Sequence, residues 1–139
     1  MTETVADETG TARVAAALAA TLQPGDIVHL VGELGAGKTT FVRHAARALG
    51  VTEPVTSPTF SVAHRYGGRD RLVVAHLDLY RSRGVTAEEL ADLDAYLAED
   101  AIVFVEWPEA GAGMLPDATV RVLLDDAGDG RRTIAIERL

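Results

Sequence analysis

The chain has 139 residues, which suffices for one domain with one core and leaves no room for a separate lid or binding domain. It contains no cysteine, which excludes disulfides and thiolate zinc sites and fits a reducing cytoplasm. Its formal net charge of −8 argues against a broad nucleic-acid-binding surface, because such surfaces neutralise many phosphates with lysine and arginine. We therefore expect any role on RNA to run through a partner.

The N-terminal part predicts a flexible start followed by a helix. Residues 1–10 are acidic and polar and lack the apolar segment of a secretory signal, so we expect them to lie outside a domain of residues 11–139. Thr11 is a candidate N-cap for a helix that runs to Leu22, and Pro24-Gly25 stops it. The longest apolar stretch lies within this helix and is too short to cross a bilayer, so we expect no membrane contact.

A phosphate-binding loop pattern follows a short predicted strand over Ile27–Val31. Gly32 to Thr40, with the sequence GELGAGKTT, matches G-x-x-x-x-G-K-[ST] and opens into a helix predicted over residues 38–49. Glycines in this pattern let backbone N–H groups turn toward phosphate oxygens, and the helix adds its positive dipole end. The candidate nucleotide-binding residues are Glu33, Leu34, Gly35, Ala36, Gly37, Lys38, Thr39 and Thr40.

Two side chains of this loop carry the predicted chemistry. Lys38 would reach the outer phosphates, and Thr39 would place its hydroxyl on a magnesium ion that bridges them. Lys38 is also the one lysine among the 13 basic residues of the chain, so the composition uses arginine everywhere else. A compact ammonium at the position where a forked guanidinium would not fit the cradle indicates that the loop is in use.

Three polar positions downstream are candidates for the rest of the site. In Ser57-Pro58-Thr59-Phe60, Thr59 either belongs to an ordinary turn or senses the outer phosphate from a switch loop. Asp78 ends an apolar strand and either caps a turn or orients a magnesium-bound water. Glu106 ends the apolar run Ile102–Val105, a predicted parallel strand in the interior of the sheet, where P-loop enzymes place the second acid of the magnesium site.

The residues around these positions leave several alternatives open. Trp107 walls the site, docks a partner or packs at a sheet edge. Arg81 and Arg83 contact phosphate or a partner, or are solvated loop residues. The histidines share no helical spacing or acidic cluster, and we predict packing or surface roles for His29, His44, His64 and His76.

The remaining pattern predicts further elements of the same domain. Residues 60–66 and 72–77 predict an antiparallel hairpin, Thr86 to Ala98 a helix that begins with a capping box, and residues 118–124 and 131–138 a terminal hairpin. The fold class is therefore α/β: a single P-loop NTPase domain with a mixed β-sheet flanked by helices, antiparallel strands and a C-terminal hairpin.

Four blocks in this order resemble one family. GELGAGKTT at 32–40, SPTF at 57–60, DLYR at 78–81 and VEWP at 105–108 closely resemble the TsaE family, formerly YjeE. Its members are small P-loop ATPases of bacterial tRNA threonylcarbamoyladenosine biosynthesis. The resemblance covers nearly the whole chain, and its blocks together are more specific than the loop alone.

The resemblance implies a cytoplasmic, magnesium-dependent ATPase, monomeric when alone, that supports turnover of the TsaD and TsaB proteins and meets tRNA only through them. By matching positions, Lys38 and Thr39 bind phosphate and magnesium. Glu106 is the second metal ligand and the Walker B acid, while Asp78 and Trp107 are needed for activity. Thr11 and the turn at Gly130-Arg131 fall where the family approaches the adenosine end of ATP.

Other P-loop functions are alternatives. A small-molecule kinase needs an acceptor site and usually a lid, which this length scarcely allows. A GTPase needs a lysine-containing guanine-reading segment, and the one lysine already lies in the loop. A non-catalytic, ATP-gated binding module is a further alternative. Because no arginine is clearly placed as a finger in cis, we expect slow hydrolysis by the isolated chain.

Overall fold

A computed structural model describes residues 1–56, 63–80, 100–111 and 115–139. In chain order its strands and α-helices are β1 (Thr2–Val5), α1 (Glu8–Ala19), β2 (Ile27–Val31), α2 (Lys38–Ala48), β3 (Ala63–Gly67), β4 (Val73–Asp78), β5 (Ala101–Glu106), β6 (Val120–Gly128) and β7 (Arg131–Arg138). Short 3-10 helices lie between β3 and β4, at Arg69–Arg71, and after β5, at Pro108–Gly111.

The seven strands form one mixed sheet in the order β1-β7-β6-β2-β5-β4-β3. The four inner strands β6, β2, β5 and β4 are parallel, and antiparallel strands extend the sheet at both edges. Parallel strands present their carboxyl ends at one edge, which is where open α/β sheets bind ligands. The loop after β2, the end of β4 at Asp78 and the end of β5 at Glu106 therefore share one edge of the sheet.

Helices α1 and α2 pack against each other and cover one face of this sheet. Their core is fully buried and includes Phe41 of α2, Leu30 of β2 and Phe104 of β5. A smaller apolar cluster, which includes Leu77 and Val105, lies on the other face. Strand β5 is buried along its whole length and is apolar on both faces up to Glu106, as expected of an inner parallel strand.

The first ten residues differ from the sequence-based expectation. Residues Thr2–Val5 form the edge strand β1, which pairs with β7, and α1 begins at Glu8 behind the N-cap Asp7 rather than at Thr11. The Asp7 side chain accepts a hydrogen bond from the Gly10 amide, as N-caps do. A four-residue edge strand with one buried side chain shows no clear alternation, so its pattern gave no signal. Residues 2–5 therefore belong to the sheet, and residues 8–10 form the first turn of α1.

The other described elements agree with the predictions in type. The β3–β4 hairpin is antiparallel, β5 lies inside the sheet between β2 and β4, and the chain ends in the β6–β7 hairpin. Strand β6 continues to Gly128, beyond its predicted end, with a register shift between Asp126 and Gly128. The helix predicted from Thr86 to Ala98 lies outside the described residues. No helix in the described ranges has the length and apolar character needed to cross a membrane.

The N-terminal strand can be tested by its stability contribution. We expect Val5→Ala to lower the free energy of unfolding by about 1–3 kcal/mol, because Val5 is buried against the core. The control Thr4→Ala changes an exposed neighbour in the same strand and should cost less than about 0.5 kcal/mol. Urea unfolding measures both values. Equal, small effects would contradict the docking of β1.

Candidate nucleotide-binding site

The glycines of the loop after β2 are required by its backbone. Gly35 and Gly37 adopt φ angles of 81° and 101°, in the left-handed region that side chains disfavour. A Cβ on Gly32 would lie 2.5 Å from the Leu124 carbonyl oxygen, so this position also admits only glycine. Gly37 is the N-cap of α2 and has no side chain to cap the helix. The loop thus points the positive end of α2 at the space that a phosphate would fill.

Lys38 is buried within this loop and hydrogen-bonds neutral partners. Its Nζ lies 2.6 Å from the Gly32 carbonyl oxygen, 2.9 Å from the Glu33 carbonyl oxygen and 4.1 Å from the centre of the Trp107 ring. Burial lowers the pKa of Lys38, and nearby carboxylates led by Glu106 and Asp78 partly oppose this shift. A desolvated ammonium with neutral hydrogen-bond acceptors is suited to an anionic ligand.

Thr39 and Glu106, which the sequence predicted as the metal-binding pair, lie next to each other. The Thr39 hydroxyl is 2.9 Å from both carboxylate oxygens of Glu106. Glu106 is only 2 % exposed, and its second partner is His76, whose Nε2 lies 2.5 Å from Oε2. The carboxylate is therefore buried between a hydroxyl of the loop helix and an imidazole of β4.

His76 corrects the sequence-based interpretation of the histidines. It is fully buried and contacts the acid of the site rather than serving only to fill the core. The available signal was its spacing from Asp78, since residues two apart on a strand share a face. His44, by contrast, contacts Glu8 between the two helices, and His64 contacts the Tyr66 hydroxyl on β3.

Asp78 and Trp107 border the site from the ends of β4 and β5. Asp78 stands opposite Glu106 in the strand register, and its carboxylate accepts a hydrogen bond from the Tyr80 amide. It thus caps the strand-end turn, and its charge also acts on Lys38. Trp107 has a φ angle of 57°, an uncommon value for a bulky residue. Its ring contacts the ring of Tyr80 at 4.8 Å and the Lys38 ammonium, so it walls the loop.

The C-terminal hairpin contacts the glycine loop through the residue that follows the predicted pair Gly130 and Arg131. Gly130 forms the turn with a φ angle of 78°, and the Arg131 side chain contacts the carbonyl oxygens of Ala127 and Gly128. Arg132, which belongs to no sequence motif, places Nη2 3.4 Å from the Gly35 carbonyl oxygen and Nη1 3.4 Å from Asp126. A guanidinium therefore lies beside the glycine loop.

The other predicted residues lie in the loop, in the two helices or outside the described residues. Glu33 contributes its carbonyl oxygen to Lys38 and to the Ala36 amide, and Leu34 is exposed at the loop tip. Ala36 is buried beneath the loop, and Thr40 follows Thr39 in the first turn of α2. Thr11 is buried in α1, which packs along α2. Thr59, Arg81 and Arg83 lie outside the described residues.

Sequence and structure comparisons agree on one family. Residues 5–134 match the family described as "Threonylcarbamoyl adenosine biosynthesis protein TsaE". A protein from Bacillus subtilis with the name "tRNA threonylcarbamoyladenosine biosynthesis protein TsaE" is 38 % identical over 124 residues, which cover 89 % of this chain and 77 % of the relative. A protein of the same name from Treponema pallidum is 38 % identical over 91 % of this chain and 92 % of its own.

Two further similarities extend this result. The TsaE protein of Streptomyces coelicolor is 43 % identical over 79 % of this chain and 75 % of its own. The crystal structure of Bacillus subtilis YdiB superposes with a TM-score of 0.81 at 32 % identity, covering 99 % of this chain and 84 % of that one. The glycine loop, its lysine and the acid at the end of β5 thus lie in a P-loop fold, and the chain belongs to the TsaE family of tRNA threonylcarbamoyladenosine biosynthesis proteins.

Proposed function

We propose that this protein is a magnesium-dependent ATPase that supports turnover of the TsaD–TsaB pair in threonylcarbamoyladenosine modification of tRNA. One observation carries the proposal. At the mouth of the glycine loop, a buried ammonium and a hydroxyl–carboxylate pair meet within a few ångströms of the uncapped end of α2. This is the set of groups that binds a nucleoside triphosphate and its cation in P-loop proteins.

The donor set of the site fits magnesium. The described residues contain no group of three or more histidine, cysteine, aspartate or glutamate side chains that could hold a metal ion. Mg²⁺ does not need such a group, because it binds through one or two carboxylates, substrate phosphates and water. The Thr39 hydroxyl and the Glu106 carboxylate would supply the protein ligands. When bound, the ion would neutralise charge on the transferred phosphoryl group.

Residues of the chain would perform the other steps, which are phosphate binding, exclusion of water and orientation of the attacking water. The loop amides and Lys38 would bind the phosphates and balance their charge, and Trp107 would exclude water from one side. Asp78 or Glu106 would orient the attacking water, and Thr59 would respond to loss of the outer phosphate. No covalent enzyme intermediate is needed, because the reaction proceeds by positioning and charge stabilisation. We expect Thr11, Gly130 and Arg131 to lie toward the adenosine.

The charge of the chain favours action through protein partners. With a net charge of −8, the protein lacks the cationic excess that direct tRNA binding requires, so we propose that tRNA is reached through TsaD and TsaB.

Leu34 and Tyr80, at the tip and the border of the loop, are 69 % and 49 % exposed. Large apolar side chains exposed beside the site would be covered by a partner. We propose a cytoplasmic protein that is monomeric when alone.

The role of Lys38 can be tested by nucleotide binding. We expect Lys38→Met to raise the Kd for Mg·ATP at least about tenfold, since a charge-assisted hydrogen bond contributes about 1.5–3 kcal/mol. The matched control is Arg47→Met, which removes the same charge from an exposed position of the same helix. Titration with a fluorescent ATP analogue measures both. Similar losses in the two variants would indicate a general charge effect and contradict the assignment.

The burial of Lys38 predicts a dependence of stability on pH. Because the pKa of Lys38 in the folded chain lies below its ordinary value of 10.5, the unfolded chain binds more protons between these two pKa values. The free energy of unfolding of the wild type should therefore rise relative to that of Lys38→Met as the pH increases toward 10.5. Urea unfolding of both proteins over the alkaline range measures the difference. A constant or falling difference would contradict the stated cause.

Hydrolysis itself provides the central test. We expect magnesium-dependent ATP hydrolysis that is slow alone and faster with TsaD and TsaB, and we expect Glu106→Gln to reduce it at least about 100-fold. The control Glu109→Gln alters an exposed acid three residues further on. Phosphate transfer to a metabolite instead of water would favour a kinase. A Glu106→Gln protein that still supports tRNA modification at the wild-type rate would favour the non-catalytic module.

A further inference from the structure

We propose that His76 is a positioning residue that holds the Glu106 carboxylate toward the Thr39 hydroxyl and thereby sets the affinity of the site for Mg²⁺. The inference rests on the proposed function, because it concerns the same metal site. It assigns a task to a buried polar side chain that the proposed reaction does not otherwise use. His76 would touch neither nucleotide nor metal and would act only through Glu106.

The strand register explains how His76 reaches the acid. His76 of β4 lies opposite Phe104 of β5, and Glu106 is two residues further along the same face. The imidazole therefore extends along the strand direction to the carboxylate, and its Nε2 approaches Oε2 to 2.5 Å. Both side chains are almost completely buried, at 0 % and 3 % exposure. This contact is sheltered from water, so it constrains the carboxylate more than an exposed contact would.

The contact also assigns a role to one imidazole nitrogen. An ionised carboxylate oxygen can only accept, so Nε2 donates the hydrogen bond to Glu106. The other ring nitrogen, Nδ1, is buried without a hydrogen-bond partner among the described residues.

The need for a second donor follows from the surroundings of Glu106. The Thr39 hydroxyl has one proton to share between the two carboxylate oxygens that it contacts. The buried Lys38 ammonium attracts the same carboxylate. A carboxylate released by His76 could turn toward Lys38 and away from Thr39, and the pair that fits magnesium would be lost. Residues that orient a metal ligand typically change metal affinity or activity about 10–100-fold when they are replaced.

Three variants of His76 separate positioning from simple core packing. His76→Gln retains an N–H donor at nearly the distance of Nε2, and His76→Asn keeps a polar side chain too short to reach Oε2. His76→Leu removes the donor at similar size. The matched control is His29→Leu on β2, a partly buried sheet histidine with an unpartnered Nε2 among the described residues. It stands opposite Val105 in the register and belongs to the other face of the sheet.

The experiment measures binding rather than turnover. A fluorescent ATP analogue is titrated against the full chain in excess EDTA, and then at fixed nucleotide with increasing MgCl₂, with thermal unfolding recorded for each variant. We expect His76→Leu and His76→Asn to raise the half-saturating Mg²⁺ concentration at least about tenfold. Their nucleotide affinity in EDTA should stay within about twofold of wild type, since the loop amides and Lys38 are unchanged. His76→Gln and His29→Leu should remain within about threefold of wild type for Mg²⁺.

The outcomes distinguish this inference from the proposed function. If wild type responds to Mg²⁺ and His76→Leu or His76→Asn responds at the same concentration, the positioning role is overturned and the ATPase proposal stands. If His76→Gln is as impaired as His76→Leu while its thermal midpoint matches wild type, the donor is not what matters, and the inference fails. If wild type binds nucleotide without any Mg²⁺ response, both the metal site and this inference fail.

Discussion

The burial of the Glu106 carboxylate is the constraint on which the site depends. An ionised acid inside a fold is costly unless donors and cations surround it, and here the surrounding groups come from a helix and from a neighbouring strand. Thr39 and Lys38 belong to the first turn of α2, and His76 belongs to β4. Satisfying one carboxylate therefore fixes the loop helix, the sheet and the end of β5 relative to one another.

The charge of the Lys38 ammonium balances that of the Glu106 carboxylate, but burying this ammonium is unfavourable. Its pKa is lowered by burial even though several carboxylates lie around it, so the folded chain holds a charge under unfavourable conditions. Trp107 adds a second unfavourable feature, which is its left-handed backbone conformation, although its ring makes a favourable contact with the ammonium. Strain and desolvation concentrated at one edge of a sheet are typical of a binding site.

The sequence predicted the parts of this site that depend on local pattern. The loop glycines, Lys38 and Thr39 follow from a contiguous motif, and Glu106 follows from an acid at the end of a fully apolar strand. The α/β class and the two hairpins follow from period and turn residues. The features that the sequence did not predict depend on contacts between distant segments. The strand β1 is defined by pairing with β7, which lies more than a hundred residues away, and its own residues carry little pattern.

His76 and Arg132 were missed for the same reason. Neither belongs to a motif, and each acquires its environment from strand register: β4 against β5 brings His76 to the acid, and β7 against β6 brings Arg132 to the glycine loop. A shift of one residue in either register would turn these side chains to the opposite face. The residues of the glycine loop are thus encoded locally, whereas His76 and Arg132 reach their neighbours in the loop and at Glu106 through the pairing of strands in the sheet. If His76 positions Glu106 as we propose, the strength with which a P-loop protein holds its cation ligands can depend on strand residues that belong to no motif.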